Sequence, residues 1–407
     1  IGQTSVAIGY SAGSQQVFGS SGATNNTLIG ANAGFWNITG TANTYVGAQA
    51  GQGVENNSNN NNTGVGVSAL LSITTGGSNT AVGKSSLSTL TTASGNVAVG
   101  NFAGYLLTDG AFNTLIGTSA GENLSTNTNH NVFVGYQSGE HADGATVASV
   151  RNSYLGYQSG RYLDDGQDNV AIGYQALYGN SAEGNDASHN VAIGKEALKS
   201  ITDGDNNIGI GSDTLKNVTT GTGNVAVGKQ AGDAIVSGQD NSLFGHQAGT
   251  ALQLGRYNSA LGYQALNSDL HGSYSTAIGY KALYAQVHGT VNGDTGNTGV
   301  GIGAGYYNVT GINNTYIGSQ SGQGASGNSN SNNTAVGYKS LNVIKTGVDN
   351  TAIGKNSMKA MLAGAYNIAI GSNAMADYKG DDGNNAGSKN IAIGVSAMEA
   401  FQGGTGD

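Results

Sequence analysis

Any chemistry in this sequence has to come from few residues. GNVAVGKQ, from Gly223 to Gln230, has the glycines and lysine of a phosphate-binding loop but no Ser or Thr after the lysine, and GSNTAVGKS, from Gly77 to Ser85, has its first glycine one place early. Such loops work because backbone N–H groups at a helix start cradle phosphate, and no helical period follows either segment. The six histidines include His271 and His288, each nine residues after an equivalent glycine (Gly262 and Gly279). In adjacent coils they would stack about 5 Å apart, but two imidazoles without a third ligand do not make a zinc site. The acidic turns at Asp164, Asp165 and Asp168, at Asp203 and Asp205, and at Asp381 and Asp382 are candidates for Ca²⁺ held with backbone carbonyls, though turn-forming carboxylates in water explain them more simply. No carboxylate pair faces another across an aromatic groove, as glycoside hydrolysis needs. The expectation is a protein that is not an enzyme and holds no cofactor, with Ca²⁺ in the acidic turns as the one exception to look for.

Composition points the same way. The 407 residues include 70 Gly, no Pro and no Cys, and only 10% are charged, against roughly 25% in ordinary domains. Without cysteine there are no disulfides or thiolate sites. Without proline, nearly every backbone N–H is kept as a donor. A net charge of −9 with scattered Lys and Arg disfavours nucleic acid and anionic lipid as partners. No stretch reaches the roughly 18 apolar residues of a membrane helix, and the chain opens at Ile1 inside a repeat. It therefore reads as a processed product or a piece of a longer fibre protein.

One phrase recurs from end to end: SVAIGYSAG at 5–13, NTLIGANAG at 26–34, NVAIGKEAL at 190–198 and NIAIGVSAM at 390–398. It occurs 22 times, and 13 of the 21 spacings between its glycines are 17 residues, the others 18 to 23. The residue before the glycine is apolar in every copy, including Ile8, Ile29, Val46, Val99, Ile172, Ile193, Ile278, Ile353 and Ile393. With the residue two places earlier it gives a period of two, a strand with one face inward, so this column is expected to be the core. The residue four before the glycine is Asn in 20 copies, among them Asn26, Asn43, Asn190, Asn224, Asn350 and Asn390, which predicts a stacked amide ladder. A second apolar site and a second glycine further on predict a second strand and corner. The sum is an all-β chain folded as one parallel β-solenoid, a flattened β-roll of about 22 coils over residues 1–407.

Two positions trade bulk. The residue two before the glycine is large in seven copies (Leu28, Tyr45, Leu115, Phe133, Tyr154, Leu243 and Tyr316), and the residue four after it is Leu or Met in eleven others. No copy carries both, so the two sites fill one space. With the Ile/Val column assigned to the inside, this space falls on the opposite face, covered by another chain or by a folded-back part of the same coil. The first option makes these seven residues a candidate interchain surface.

NVAIG, STAIG and SVAIG followed by a small residue resemble the head repeat of YadA-like trimeric autotransporter adhesins, and equally the NTAIGYQAL-type repeats of phage tail-fibre proteins. The resemblance covers residues 5–398. It implies a left-handed parallel β-roll, three chains joined along their length, and attachment to surfaces from an extracellular, cell-surface or virion location. By position it places the Ile8-type column in the core and the Ala7-type column toward neighbouring chains. The unit here is longer than the adhesin head repeat, and the expectation is that these residues are the repeat portion only, with any stalk, anchor or self-cleaving chaperone domain of the kind such proteins often carry lying elsewhere.

The long insertions all fall between the second strand and the next Asn: 18–25, 143–151, 180–189, 289–296 and 379–389, with Asn-rich pieces at 55–61 and 325–332. Loops of varying length on a rigid scaffold suit recognition, so Asp143, Arg151, Glu183, Asp186, Asp294, Asp381 and Asp382 are candidate contacts to a glycan or protein receptor. Drift of polar loops explains them as well. Tyr10, Tyr136, Tyr157, Tyr174, Tyr263, Tyr280 and Tyr338 follow the glycine and could stack on sugars or on one another. Thr27, Thr44, Thr63 and Thr80 would suit ice, but Val170, Val191, Ile208 and Ile368 share their column, which reads as buried. The expectation is thus an adhesive or structural fibre, its shaft or head, with a self-assembling filament or sheath as the alternative and a monomeric ice- or glycan-binding solenoid as the lesser one.

Overall fold

Each repeat contributes three extended residues ending just before the repeat glycine. The computed structural model describes residues 4–17, 24–55, 57–142, 151–180, 185–288, 293–377 and 387–400. Contacts divide the chain into two units, Ile1–Asn206 and Asn207–Asp407. The first holds strands β1 (Val6–Ile8) to β11 (Val191–Ile193), the second β12 (Ile208–Ile210) to β22 (Ile391–Ile393). Within each unit every strand pairs with the next in parallel and in register, as in Thr276↔Thr298 and Val300↔Ile317. Each unit is therefore a β-solenoid with the 17-residue basal repeat. The expected second strand is absent as a strand: among the described residues the far wall is made of stacked turns with isolated parallel bridges such as Tyr162↔Gly179.

The repeat glycine is fixed by stacking. Its φ lies between +127° and +147°, and a Cβ at Gly100 would fall 2.3 Å from the carbonyl oxygen of Gly117 in the next coil. Only a residue without a side chain permits coils to sit this close. The residues two and four places later are left-handed even when they are not glycine, as at Gln137 and Leu87.

The faces are the reverse of those expected. Strand centres point inward: Leu28, Tyr45, Leu115, Phe133, Leu243 and Tyr316 are fully buried and Tyr154 nearly so. The column assigned to the core faces outward. Ile8, Val99, Ile172, Ile278, Ile353 and Ile393 are 37–69% exposed, and Ile29, Val46 and Ile193 are half-buried. The Thr column beside them is outward too. The physical reason is room. In many coils the far wall already sends one apolar side chain inward, as at Ile73, Leu90 and Leu252, so the space left beside the strand takes one more large side chain from a single strand position, and two branched columns cannot enter it. Apolar character alone does not decide the side, since much protein surface is apolar.

The bulk trade is therefore made inside the coil. A Cβ at Gly51 would lie 2.4 Å from the Tyr45 ring, and one at Gly139 2.4 Å from Phe133. Ten of the eleven Leu or Met residues at the corner site, Leu70 to Met375, are fully buried. The packing also has a direction. A Cβ at Gly104 would sit 2.8 Å from both Leu87 of the preceding coil and Leu115 of the following one. Gly232 is likewise held between Leu215 and Leu243, and Gly305 between Leu283 and Tyr316. Corner leucines lean toward the next coil and strand-centre side chains reach back toward the previous one. Where bulk moves from corner to strand, a coil with neither is interposed, at Gly100, Gly228 and Gly301; where it moves from strand to corner, as from Tyr154 to Leu177, none is needed.

This order is open to test. The exchange Ala171→Leu with Leu177→Gly follows the Tyr154 coil and keeps a permitted order, so it is expected to stay within about 1.5 kcal/mol of the parent. Ala171→Leu alone is expected to cost about 1–3 kcal/mol by overpacking. The same exchange at Ala81 and Leu87 drives a strand leucine back into the space of Leu70 and is expected to be markedly worse, read from urea melts and hydrogen exchange of the altered coil. Equal penalties at the two places would refute a directional interior.

Candidate functional site

Two kinds of polar site run through the coils, one buried and one on the surface. The buried one is the asparagine ladder, as expected. Asn224 Oδ1 accepts from the backbone N–H of Asn241 at 3.2 Å and from its Nδ2 at 2.9 Å. Asn224 Nδ2 also donates to the carbonyl of Gly238 at 2.8 Å, fourteen residues on in its own coil. Asn43 continues from Asn26, and Asn390 from Asn367, in the same way, while Asn190 and Asn350 close their coils on Gly204 and Gly364. The ladder residues are essentially without solvent contact, so each unpaired amide would cost about 1–3 kcal/mol.

Ser275 interrupts the ladder, and a buried network replaces it. Gln286 Nε2 donates to Ser275 Oγ at 3.0 Å and to Asp269 Oδ2 at 2.5 Å, and its Oε1 accepts from Asn297 Nδ2 at 3.0 Å. Asp269 Oδ1 accepts the backbone N–H groups of Gly272 and His288. Burial raises the Asp269 carboxyl above its ordinary range, and these donors only partly offset it.

The Asn-rich pieces are only partly outward: Asn57, Asn59, Asn328 and Asn330 are buried, while Asn60, Asn61, Ser329 and Asn332 are exposed. Asn59 Oδ1 accepts from the Tyr45 hydroxyl at 2.5 Å, and Asn330 Oδ1 from that of Tyr316. Both tyrosines occur in 19-residue units with the same Asn-Ser-Asn run, a correlation that could have been read from the sequence. Tyr154, in a 17-residue unit, stacks on Phe133 at 4.8 Å, and its buried hydroxyl lacks a close amide partner of the kind Tyr45 and Tyr316 have.

On the surface, Arg151 forms a two-pronged pair with Asp168 at 2.6 and 2.7 Å, and His189 approaches the same carboxylate at 3.6 Å. Arg151 holds Asp168 below the usual carboxylate range. Asp186 is shifted upward, by burial first and then by Asp165, Asp203 and Asp205. Asp294 bridges Ser273 through backbone. Asp143, Glu183, Asp381 and Asp382 lie outside the described residues. No three His, Asp or Glu side chains converge as a metal site among the described residues. Tyr136, Tyr157 and Tyr174 stack on one another at 5.3 Å, so their faces are largely turned to each other.

The outward face is uniform. The residues one and three before the glycine are Val, Ile, Leu, Phe, Thr or Ser in all 22 copies, without one charge, and none is buried in any strand. No family model and no curated protein matches this chain.

Two substitutions follow. Tyr154→Phe removes a hydroxyl that lacks such a close amide partner and is expected to be about neutral, while Tyr45→Phe removes the shorter of two donors to Asn59 Oδ1, the other being Asn62 Nδ2 at 3.2 Å, and is expected to cost about 1 kcal/mol in a melt. Because the raised Asp269 carboxyl favours its protonated form in the fold, its contribution is full at low pH and lost as pH rises through its folded pKa. Asn37 and Asn308 occupy the same place in other coils, beside Gly40 and Gly311. Asp269→Asn is therefore expected to remove that slope, at the cost of the Gln286 Nε2 bond that only the carboxylate oxygen accepts; an unchanged slope would assign it elsewhere.

Proposed function

We propose that this chain is the shaft or head of an adhesive fibre, associated lengthwise with copies of itself, outside a cell or on a virion. The observation that supports this is the uncharged outward strand face, repeated in every copy. Contiguous apolar patches beyond a few hundred Å² mark interaction surfaces, and a stable partner interface uses about 800 Å² from each side. A column that is apolar in every coil, beside a column of Thr, Ser, Val or Ile, offers such a strip along each unit. Because parallel coils repeat one geometry, a second copy can match the strip coil by coil. The threefold, left-handed arrangement implied by the adhesin and tail-fibre resemblance belongs to this proposal, as does attachment to a glycan or protein receptor through the surfaces left free.

Light scattering over a range of concentrations is expected to give a fixed mass near three times 40.6 kDa. Ile278→Lys with Ile317→Lys places charge on the strip and is expected to yield monomers with an unchanged melt, whereas Asn267→Lys is expected to leave the mass intact. A monomeric parent chain would overturn the proposal in favour of a lone binding solenoid. A mass that grows with concentration would favour a filament.

A further inference from the structure

The outward strip has two borders, and they differ in charge. Outward positions follow one another along each coil at five, three and one before the repeat glycine and at one after it, and none of the four is buried in any coil. The position after the glycine holds Lys84, Lys195, Lys229 and Lys355 and is never acidic in the 22 copies, whereas the position five before it holds Asp168, Asp240 and Asp349. The two positions between carry no charge at all. Arg151, on the aspartate border, is paired with Asp168. Lys195, Lys229, Lys355, Asp240 and Asp349 form no ion pair among the described residues.

In the second unit the two borders are matched coil by coil. Lys355 and Asp349 flank the strand Thr351–Ile353, and His246 and Asp240 flank Ser242–Phe244. Ile302, 58% exposed, stands across from Gly296, which has no side chain. Lys389 stands across from Val395, and no coil of this unit carries the same charge on both borders. The members of a pair cannot serve each other within one chain, because the three strand residues between them alone span about 10 Å. Neither backbone pairing nor the interior calls for such a match, since all these side chains point away from both.

We propose that copies of this chain lie parallel and in register along the strip, the lysine border of one against the aspartate border of the next. Rotation about an axis along the coils keeps their order and sets opposite borders together at the same coil. Lys355 then meets the partner's Asp349, His246 meets the partner's Asp240, and Ile302 enters the room left beside the partner's Gly296. An antiparallel pair sets like borders together, a lysine column against a lysine column with no acid in it, and like charges placed in this way select against that arrangement. Exposed ion pairs contribute little affinity; their part is to fix direction and register, while the uncharged strip between them supplies the buried area. This deepens the lengthwise association proposed above and rests on it.

The chain has no cysteine, so thiol cross-linking reports only the contacts placed for it. The full chain with Lys355→Cys and Asp349→Cys is treated with a short bis-maleimide whose span matches a lysine–carboxylate pair, at a concentration where light scattering gives an oligomer. It is expected to run on a denaturing gel as a covalent oligomer of that mass, since a link within one chain leaves a monomer band. Lys355→Cys alone, Asp349→Cys alone, and Lys355→Cys with Asp240→Cys, whose sites are six coils apart, are expected to run as monomers. None of these substitutions touches the strip itself. An oligomer by light scattering that fails to link in the first variant, or that links as readily in a single or displaced one, would overturn the parallel register and leave the association standing. A monomer by light scattering would overturn both.

Discussion

Coil closure by one buried amide is the interaction on which the rest depends. The ladder asparagine reaches across its own coil to a carbonyl fourteen residues away and along the axis to the next asparagine. It thereby fixes the circumference of the coil and the register between coils together. With both fixed, the repeat glycine is pressed against its neighbour and cannot carry a Cβ. Beside the far-wall residues such as Ile73 and Leu252, the interior is left with room for one large side chain per coil from the strand and corner sites together. Extra residues can then enter only where they leave this closure intact, which is why units of 19 residues still place Asn62 and Asn333 in the ladder.

The narrow interior also explains what could and could not be read from residues alone. Ladder, strand spacing and parallel stacking follow from single columns, and each was legible. So was the volume trade, because two columns that never carry bulk together must share a space. Its location was not. Ile8 and Ile278 are apolar and β-branched, which fits a core column and an exposed strand surface equally well. The choice depends on coil width, set by hydrogen bonds from Asn side chains to distant carbonyls, and those partners are not neighbours in sequence. The inward Asn59 and Asn330 were missed for a related reason: read as loop residues, they are polar, whereas read against Tyr45 and Tyr316 they are the partners a buried phenol needs.

The two surfaces of the coil are under different constraints. On the strand side, 44 flanking positions carry no charge, a restriction that neither backbone pairing nor the interior imposes, since these side chains point away from both. On the turn side, Arg161 with Glu140, Lys199 with Glu196 and the Lys281 tyrosine cluster differ from coil to coil. Uniformity suits a surface that meets copies of itself, and variety suits one that meets other molecules.

Directional packing limits how such a repeat can grow. A corner leucine pays for its left-handed backbone, at Leu87 and Leu283 for example, with complete burial against the coil ahead. That lean occupies space that a strand-centre residue of the next coil would also enter, so the order from corner to strand needs an empty coil between them. The reverse order does not, because the two side chains then lean apart. A solenoid extended by duplicating blocks of coils stays packed when a block that ends on a corner residue is followed by one that opens with small residues at both sites. The coils of Gly100, Gly228 and Gly301 have that composition. They are therefore the places where blocks of different internal pattern can be joined without strain, and their small residues serve packing between coils where their own coil leaves space.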